Sequence, residues 1–257
     1  GSECTTTEDS HLPLSVWAKA FHVMASSKKG VSALQIQRQL GLGSYRTAWF
    51  LAHRIREAMR CEPIAGMLKG TIQADESYVG ARRPRLGTGF HKRGRGTDKA
   101  PVVVLVESGP GGKAHSRHIE RVDGKTVKAA IREMVDESST IHTDEFNIYK
   151  GIGQHFAGGH KTVDHSAGKY VGPNGETTNT AESYFALLKR GVIGSFHHVS
   201  KHHLHRYCDE FAFRWNGRTV TDAERRDSAV KGAEGKRLMY REPVAKTTPL
   251  DRPANLG

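Results

Sequence analysis

Along this chain the spacing of apolar residues is helical at first, strand-like in the middle and helical again. Over residues 12–25 Leu14, Trp17, Phe21 and Met24 recur at helical intervals, which predicts an amphipathic helix. A Ser-Ser-Lys-Lys-Gly turn follows. Ser32 then stands in capping position before a short helix over 33–40, and Gly41 ends it. Gly43-Ser44 opens a longer helix through about residue 60. Its apolar face is Ala48, Leu51, Ala52, Ile55 and Met59; its polar face is Arg46, His53, Arg54, Arg56 and Arg60. A short helix, a glycine turn and a longer basic helix form a helix-turn-helix pattern, with Arg46, Arg54 and Arg56 as candidate DNA contacts. A plain three-helix bundle with a solvated basic face has the same pattern.

From Lys69 the alternation becomes that of strands. Residues 71–79 alternate, 101–107 form a run of β-branched residues suited to a buried strand, and 113–121 return after a Gly-Pro-Gly-Gly turn. Asp123-Gly124 leads into a helix to about 137 with Val127, Ala130, Ile131, Met134 and Val135 inward. A strand over 139–143 follows, ending at Asp144. A short helix over 145–150, a strand over 161–165, a glycine-rich loop over 166–176, and helices over 179–190 and 199–216 complete the pattern. Three hairpin-connected strands, a helix and a further strand open a mixed sheet with helices on both faces, the ribonuclease-H-like order of elements. The expected organisation is a helix-turn-helix unit over 1–66, an α/β catalytic unit over 67–218 and a polar, basic tail over 219–257. Gly1-Ser2 reads as a cloning remnant.

Charge narrows the class of partner. The 257 residues include 39 Lys and Arg against 27 Asp and Glu, a formal charge of +12. Such an excess favours polyanions, with nucleic acid ahead of acidic membrane surfaces. Arg82, Arg83, Arg85, Lys92, Arg93, Arg95 and Lys99 crowd the loop over 81–100, where Asp98 is the single acid. That loop directly follows the first acid-bearing strand, so a clamp on a DNA strand is the reading preferred over a solvated stretch. Three widely spaced cysteines, Cys4, Cys61 and Cys208, form no C-x-x-C pair and fit a reducing compartment. With no signal peptide and no long apolar run, a cytoplasmic, nucleoid-associated protein is expected.

Three acids supply candidate chemistry. Asp75 lies in the strand over 71–79, Asp144 closes the strand over 139–144, and Glu182 lies in the first turn of the helix over 179–190. Two magnesium or manganese ions about 3.5–4 Å apart need hard oxygen ligands converging from several elements. Each acid also has a structural reading: Asp144 as a helix cap, Glu182 as a dipole-favoured first-turn glutamate, and Asp75 or Glu76 as a surface charge on opposite strand faces. The histidines at 197–198, 202–203 and 205 match no zinc spacing and fit backbone contact or packing better.

Asp75-Glu-Ser-Tyr-Val-Gly80, Thr143-Asp144-Glu-Phe-Asn-Ile-Tyr149, the segment Asn179–Gly191 and the segment Phe196–Asn216 resemble bacterial insertion-sequence transposases of the ISXO-like group, within the DDE transposases. The resemblance runs from about Leu12 to Arg218. It implies a ribonuclease-H-like catalytic domain, divalent metal, terminal inverted repeats in double-stranded DNA as substrate, and a homodimer or larger assembly on DNA. Carried over by position, Asp75 and Asp144 are the first two catalytic acids, and Glu182 or Asn179 is the third. Lys189 resembles the basic residue near the scissile phosphate, and Arg190 adjoins it. Members of the group often carry an N-terminal zinc ribbon, and the cysteines for one are absent here. The chain is therefore either a shortened form or one that recognises DNA ends differently. A nuclease without strand transfer and a DNA-binding regulator are the alternative activities.

Overall fold

The computed structural model describes residues 6–7, 10–61, 68–80, 99–163 and 177–239. The sequence opens with three helices, α1 (Leu14–Ser26), α2 (Ala33–Leu40) and α3 (Tyr45–Met59). Trp17, Phe21 and Met24 of α1 are buried together with Ile36, Leu51 and Ile55. Leu14, which shares their spacing, is 74% exposed instead, because it occupies the first turn beyond the edge of that core. The Ser32 hydroxyl accepts from the Gln35 amide at 3.2 Å, satisfying one of the unpaired N–H groups of α2. Gly41 ends α2 in the left-handed region, at φ 63°, where a side chain is strained.

The polar face expected for α3 is corrected by the structure. His53, Arg54 and Arg56 are buried, and Arg46 near the helix start is exposed. The reason lies in two later helices, α6 (Leu204–Asn216) and α7 (Asp222–Lys231), both of which pack against α3. Arg54 lies over the Trp17 ring at 5.1 Å and over Phe50 at 5.7 Å. The Arg56 Nε donates to Glu210 Oε2 of α6 at 2.6 Å. Arg56 is thereby withdrawn from any surface role.

Helix α7 falls in the segment expected to be a polar tail. A capping box starts it: the Thr221 hydroxyl accepts from the Glu224 amide, and the Glu224 carboxylate accepts from the Thr221 amide. Ala229 and the following Ala233 are buried in the α1–α3 core, and the Thr6 hydroxyl donates to the Ala233 carbonyl at 3.1 Å.

The middle of the chain forms a sheet from β1 (Thr71–Val79), β2 (Ala100–Glu107), β3 (Ala114–His118), β4 (Thr140–Asp144) and β5 (His160–Val163). Their order is β3-β2-β1-β4-β5. The first three strands are antiparallel; β1 with β4 and β4 with β5 are parallel. Helix α4 (Gly124–Met134) covers one face, where Ile72, Ala74, Val103, Leu105 and Ile141 meet Val127, Ile131 and Met134. Helix α5 (Asn179–Gly191) and α6 cover the other, where Val102, Val104 and Val106 meet Tyr184, Leu188 and Phe211. Coverage on both sides explains the unbroken apolar run of β2. This topology is the ribonuclease-H-like fold.

Two expected helices are shorter than their patterns. Within the span 145–150 only residues 147–149 are helical, as a single 3₁₀ turn, preceded by an Asp144 carboxylate that accepts from the Phe146 amide at 3.2 Å, and a second 3₁₀ turn follows over 152–155. Helix α6 begins at Leu204 after a 3₁₀ turn over 201–203.

Helical layer and sheet share a tight seam. Besides Arg56, Glu210 receives Arg214 Nη2 at 2.5 Å, and Arg214 Nη1 donates to the Ser27 carbonyl at the end of α1. Burial alone would raise the Glu210 pKa, but Arg56 and Arg214 outweigh it and hold the carboxylate below its usual range. Gly191, at the end of α5, has the Phe211 ring and the Lys29 carbonyl where a Cβ would stand, so no larger residue fits without displacing α6.

Candidate functional site

The strand register places the first two acids. Gln73 of β1 pairs with His142 of β4 in the parallel ladder. Asp75 and Asp144 each lie two residues further on, so they share the face of Gln73 and His142: Asp144 at the carboxyl end of β4, and Asp75 in the middle of β1, just past the last parallel pair. Ligand sites of open α/β sheets form beyond such strand ends.

The face is identified by Gln73, which sequence reasoning missed. Its side-chain oxygen accepts from the Thr180 amide at 2.9 Å and the Ala181 amide at 3.2 Å, and its nitrogen donates to the Ser108 hydroxyl at 3.0 Å. Gln73 is 1% exposed. It thus satisfies two of the free N–H groups at the start of α5 and ties that helix to β1. Glu182, in the first turn of α5, is thereby carried to the side of the sheet that bears Asp75.

Electrostatics report the same neighbourhood. The Asp75 carboxyl is pushed up to about 7, by burial first, then by Glu76, Asp144 and, more weakly, Glu182; the Glu76 amide at 2.8 Å partly opposes this. Lys189, two turns beyond Glu182, is half-buried with its ammonium 5.4 Å from the Phe185 ring centre. Burial lowers its pKa, and the charge of Asp75 partly offsets that effect. Asn179 is exposed at the start of α5, one turn before Glu182. Arg190 is exposed, with its Nε donating to the Ala186 carbonyl at 3.1 Å.

Glu76 points to the opposite face, as strand alternation requires. There it accepts a hydrogen bond from the hydroxyl of Tyr149, a buried residue of the turn after β4. Tyr149 also escaped the sequence reading. Its position five residues after Asp144, in a turn too short for a periodic signal, explains why.

The donor chemistry fits a hard divalent cation: carboxylate oxygens from two neighbouring strands and one helix, destabilised by mutual repulsion. The side chains are not drawn to coordination distance, and no three Asp, Glu, His or Cys side chains among the described residues form a metal-binding group. Arg46, Arg54 and Arg56 lie on α3, outside this cluster. Arg82, Arg83, Arg85, Lys92, Arg93 and Arg95 lie outside the described residues. No helix among the described residues is long and apolar enough to cross a membrane.

A ribonuclease-H-like sheet that carries Asp75 and Asp144 on one face, under the helix that bears Glu182, is an arrangement shared by nucleic-acid-processing proteins. Within that class, residues 67–216 match the ISXO2-like transposase domain, and the chain belongs to that family. A protein of transposable element ISH50 from Halobacterium salinarum is 30% identical over 224 residues, covering 82% of this chain and 72% of that protein. The chain in the crystal structure of a pre-cleavage Mos1 transpososome aligns over 86% of this chain and 80% of its own length, at 12% identity and a TM-score of 0.32.

Proposed function

We propose that this protein is a DNA transposase that binds terminal inverted repeats, cleaves a strand beside them and joins the freed 3′-hydroxyl to target DNA. Asp75, Asp144 and Glu182 would hold two magnesium or manganese ions, with Asn179 as the alternative third ligand. Glu182 is preferred because a carboxylate neutralises cation charge and an amide does not. When bound, such ions stabilise both the attacking and the leaving oxygen of an in-line phosphodiester displacement. The chain's own residues supply the rest. Gln73 sets the height of α5 over β1 and so the span between Asp75 and Glu182. Lys189, whose charge senses Asp75, would hold a DNA phosphate beside the acids. Arg190 and Arg46 offer exposed charge to the backbone, and the basic segment over 82–95 would add to it. A homodimer or larger assembly follows from the need to bring two DNA ends together.

The observation that carries this reading is the register Gln73 to His142, which sets Asp75 beside Asp144. The test is incubation with supercoiled plasmid and with terminal-repeat duplex, in magnesium, manganese or EDTA, beside Asp144→Ala. Nicked and joined products that require metal and vanish in the variant are expected. Nicking without joined products would leave a nuclease, and binding without cleavage in any metal would leave a DNA-binding regulator. Glu182→Gln and Asn179→Ala, assayed together, assign the third ligand.

A further inference from the structure

We propose that the seam between α3 and α6 is a second DNA contact, a backbone-phosphate site formed by Arg206 and His203 over the buried His53. This rests on the reading that the chain binds DNA. On α3, Arg46, Trp49 and His53 follow one another at helical spacing along a single stripe. The His53 ring centre is 4.1 Å from that of Trp49, 5.0 Å from His203 and 5.7 Å from Tyr207. His53 is 1% exposed, yet neither of its ring nitrogens has a hydrogen-bond partner, and the same holds for His203 Nδ1 and Arg206 Nε. A neutral imidazole carries one N–H donor and one acceptor nitrogen, and a guanidinium only donors. The seam therefore holds at least two unpaired N–H donors, one on His53 and one at Arg206 Nε.

Its charges are mixed with a small cationic excess, four guanidiniums (Arg56, Arg60, Arg206 and Arg214) against three carboxylates (Glu57, Asp209 and Glu210). Facing Arg206 and His203 are Arg56, Arg60 and Glu57 from α3, and His202, His205 and Asp209 from α6 and the turn before it. Glu210 is engaged by both Arg56 and Arg214. Burial, with Arg56 and Arg60, lowers the Arg206 pKa against the opposing pull of Glu57 and Asp209. Burial, then Arg56 and Arg206, pushes His53 down to about 2. A cation is the wrong ligand here: guanidiniums repel it, and no three-ligand group exists among the described residues. A group that is anionic and rich in acceptors answers both deficits, and a phosphate matches the planar donor fork of arginine. Exposed Lys201 and His202 flank the site. The stripe that leads from Arg46 to His53 would then carry one DNA backbone from the helix-turn-helix onto the last helix over the sheet.

The experiment is fluorescence anisotropy of a labelled mixed-sequence duplex over a salt series, with wild-type protein, Arg206→Ala and Arg206→Lys, together with their melting temperatures. Arg206→Ala is expected to bind about tenfold more weakly, with a log K against log salt slope shallower by about one. Arg206→Lys keeps the charge and should keep the slope while losing part of the affinity. The Arg206→Ala melting temperature should stay close to that of wild type, because burial and the repulsion of Arg56 and Arg60 offset the attraction of Glu57 and Asp209. Wild type that binds and Arg206→Ala that matches it in affinity and slope would overturn the site and leave the DNA reading standing. Weakened binding that only follows a fall in melting temperature would also overturn it. Wild type that fails to bind the duplex would overturn both.

Discussion

Asp75 is a residue whose environment opposes its own charge. Its folded pKa of about 7 stands above the ordinary value of 3.8. Below both values the acid is protonated in folded and unfolded chains and imposes no penalty. As pH rises between them the unfolded chain ionises first, so stability falls across that window and stays low above it. The metal-free protein is therefore expected to lose several degrees of melting temperature between about pH 4 and about pH 7. Magnesium should restore them at the upper pH, and Asp75→Asn should flatten the dependence. A differential scanning series with and without EDTA reads all three. The placing of Asp75 on β1, Asp144 at the end of β4 and Glu182 in the first turn of α5 was legible in the sequence, because strands and helix starts are marked by short-range pattern. Gln73 was not. A polar residue on an alternating strand looks like solvent-facing surface until the strand is known to lie under the start of a helix from the other end of the domain.

At the scale of elements, the site depends on how α5 sits on β1. Hydrophobic contacts of Tyr184, Phe185 and Leu188 hold the body of the helix. Its first turn is held by Gln73, and that turn carries Glu182. Gln73→Leu removes one acceptor shared by two backbone donors, at a stability cost of about 1–3 kcal/mol. Activity should suffer more, because a ligand displaced by about 1 Å loses on the order of 10²-fold in rate. Gln73→Glu keeps the acceptor and should retain far more metal-dependent nicking than Gln73→Leu. Equal loss in both, judged by single-turnover nicking at saturating metal, would show that the contact serves folding alone. The error over α3 belongs to this scale too. Its wheel separates a basic face from an apolar one, yet α6 and α7 close over part of the basic face. The trace of this in the sequence was Glu210 and Arg214, four residues apart on a helix otherwise rich in buried residues, awaiting a charge from elsewhere.

At the scale of the whole molecule, the helical layer and the sheet are joined through charge as well as apolar contact. Glu210 is fully buried between Arg56 and Arg214. Removing one partner of such a group strands the others without water, so Glu210→Ala is expected to destabilise by about 3–5 kcal/mol. Replacing all three with apolar residues of similar volume should cost far less. Urea unfolding of the two variants distinguishes an ionic lock from simple packing. The strand and helix order of the sheet was readable because each element carries its own period. The lock and the placement of α7 were not, since both join parts of the chain that no local window contains.

That placement bears on the order in which the protein comes into being. Thr6 bonds to the carbonyl of Ala233, 227 residues away, and α7 lies against α1. A ribosome releases α1 long before its partner exists. The apolar face of α1 therefore waits, incompletely covered, while the entire sheet is synthesised and folded. The helical layer is thus begun before the sheet and finished after it, and its completion requires that everything between α1 and α7 has already emerged.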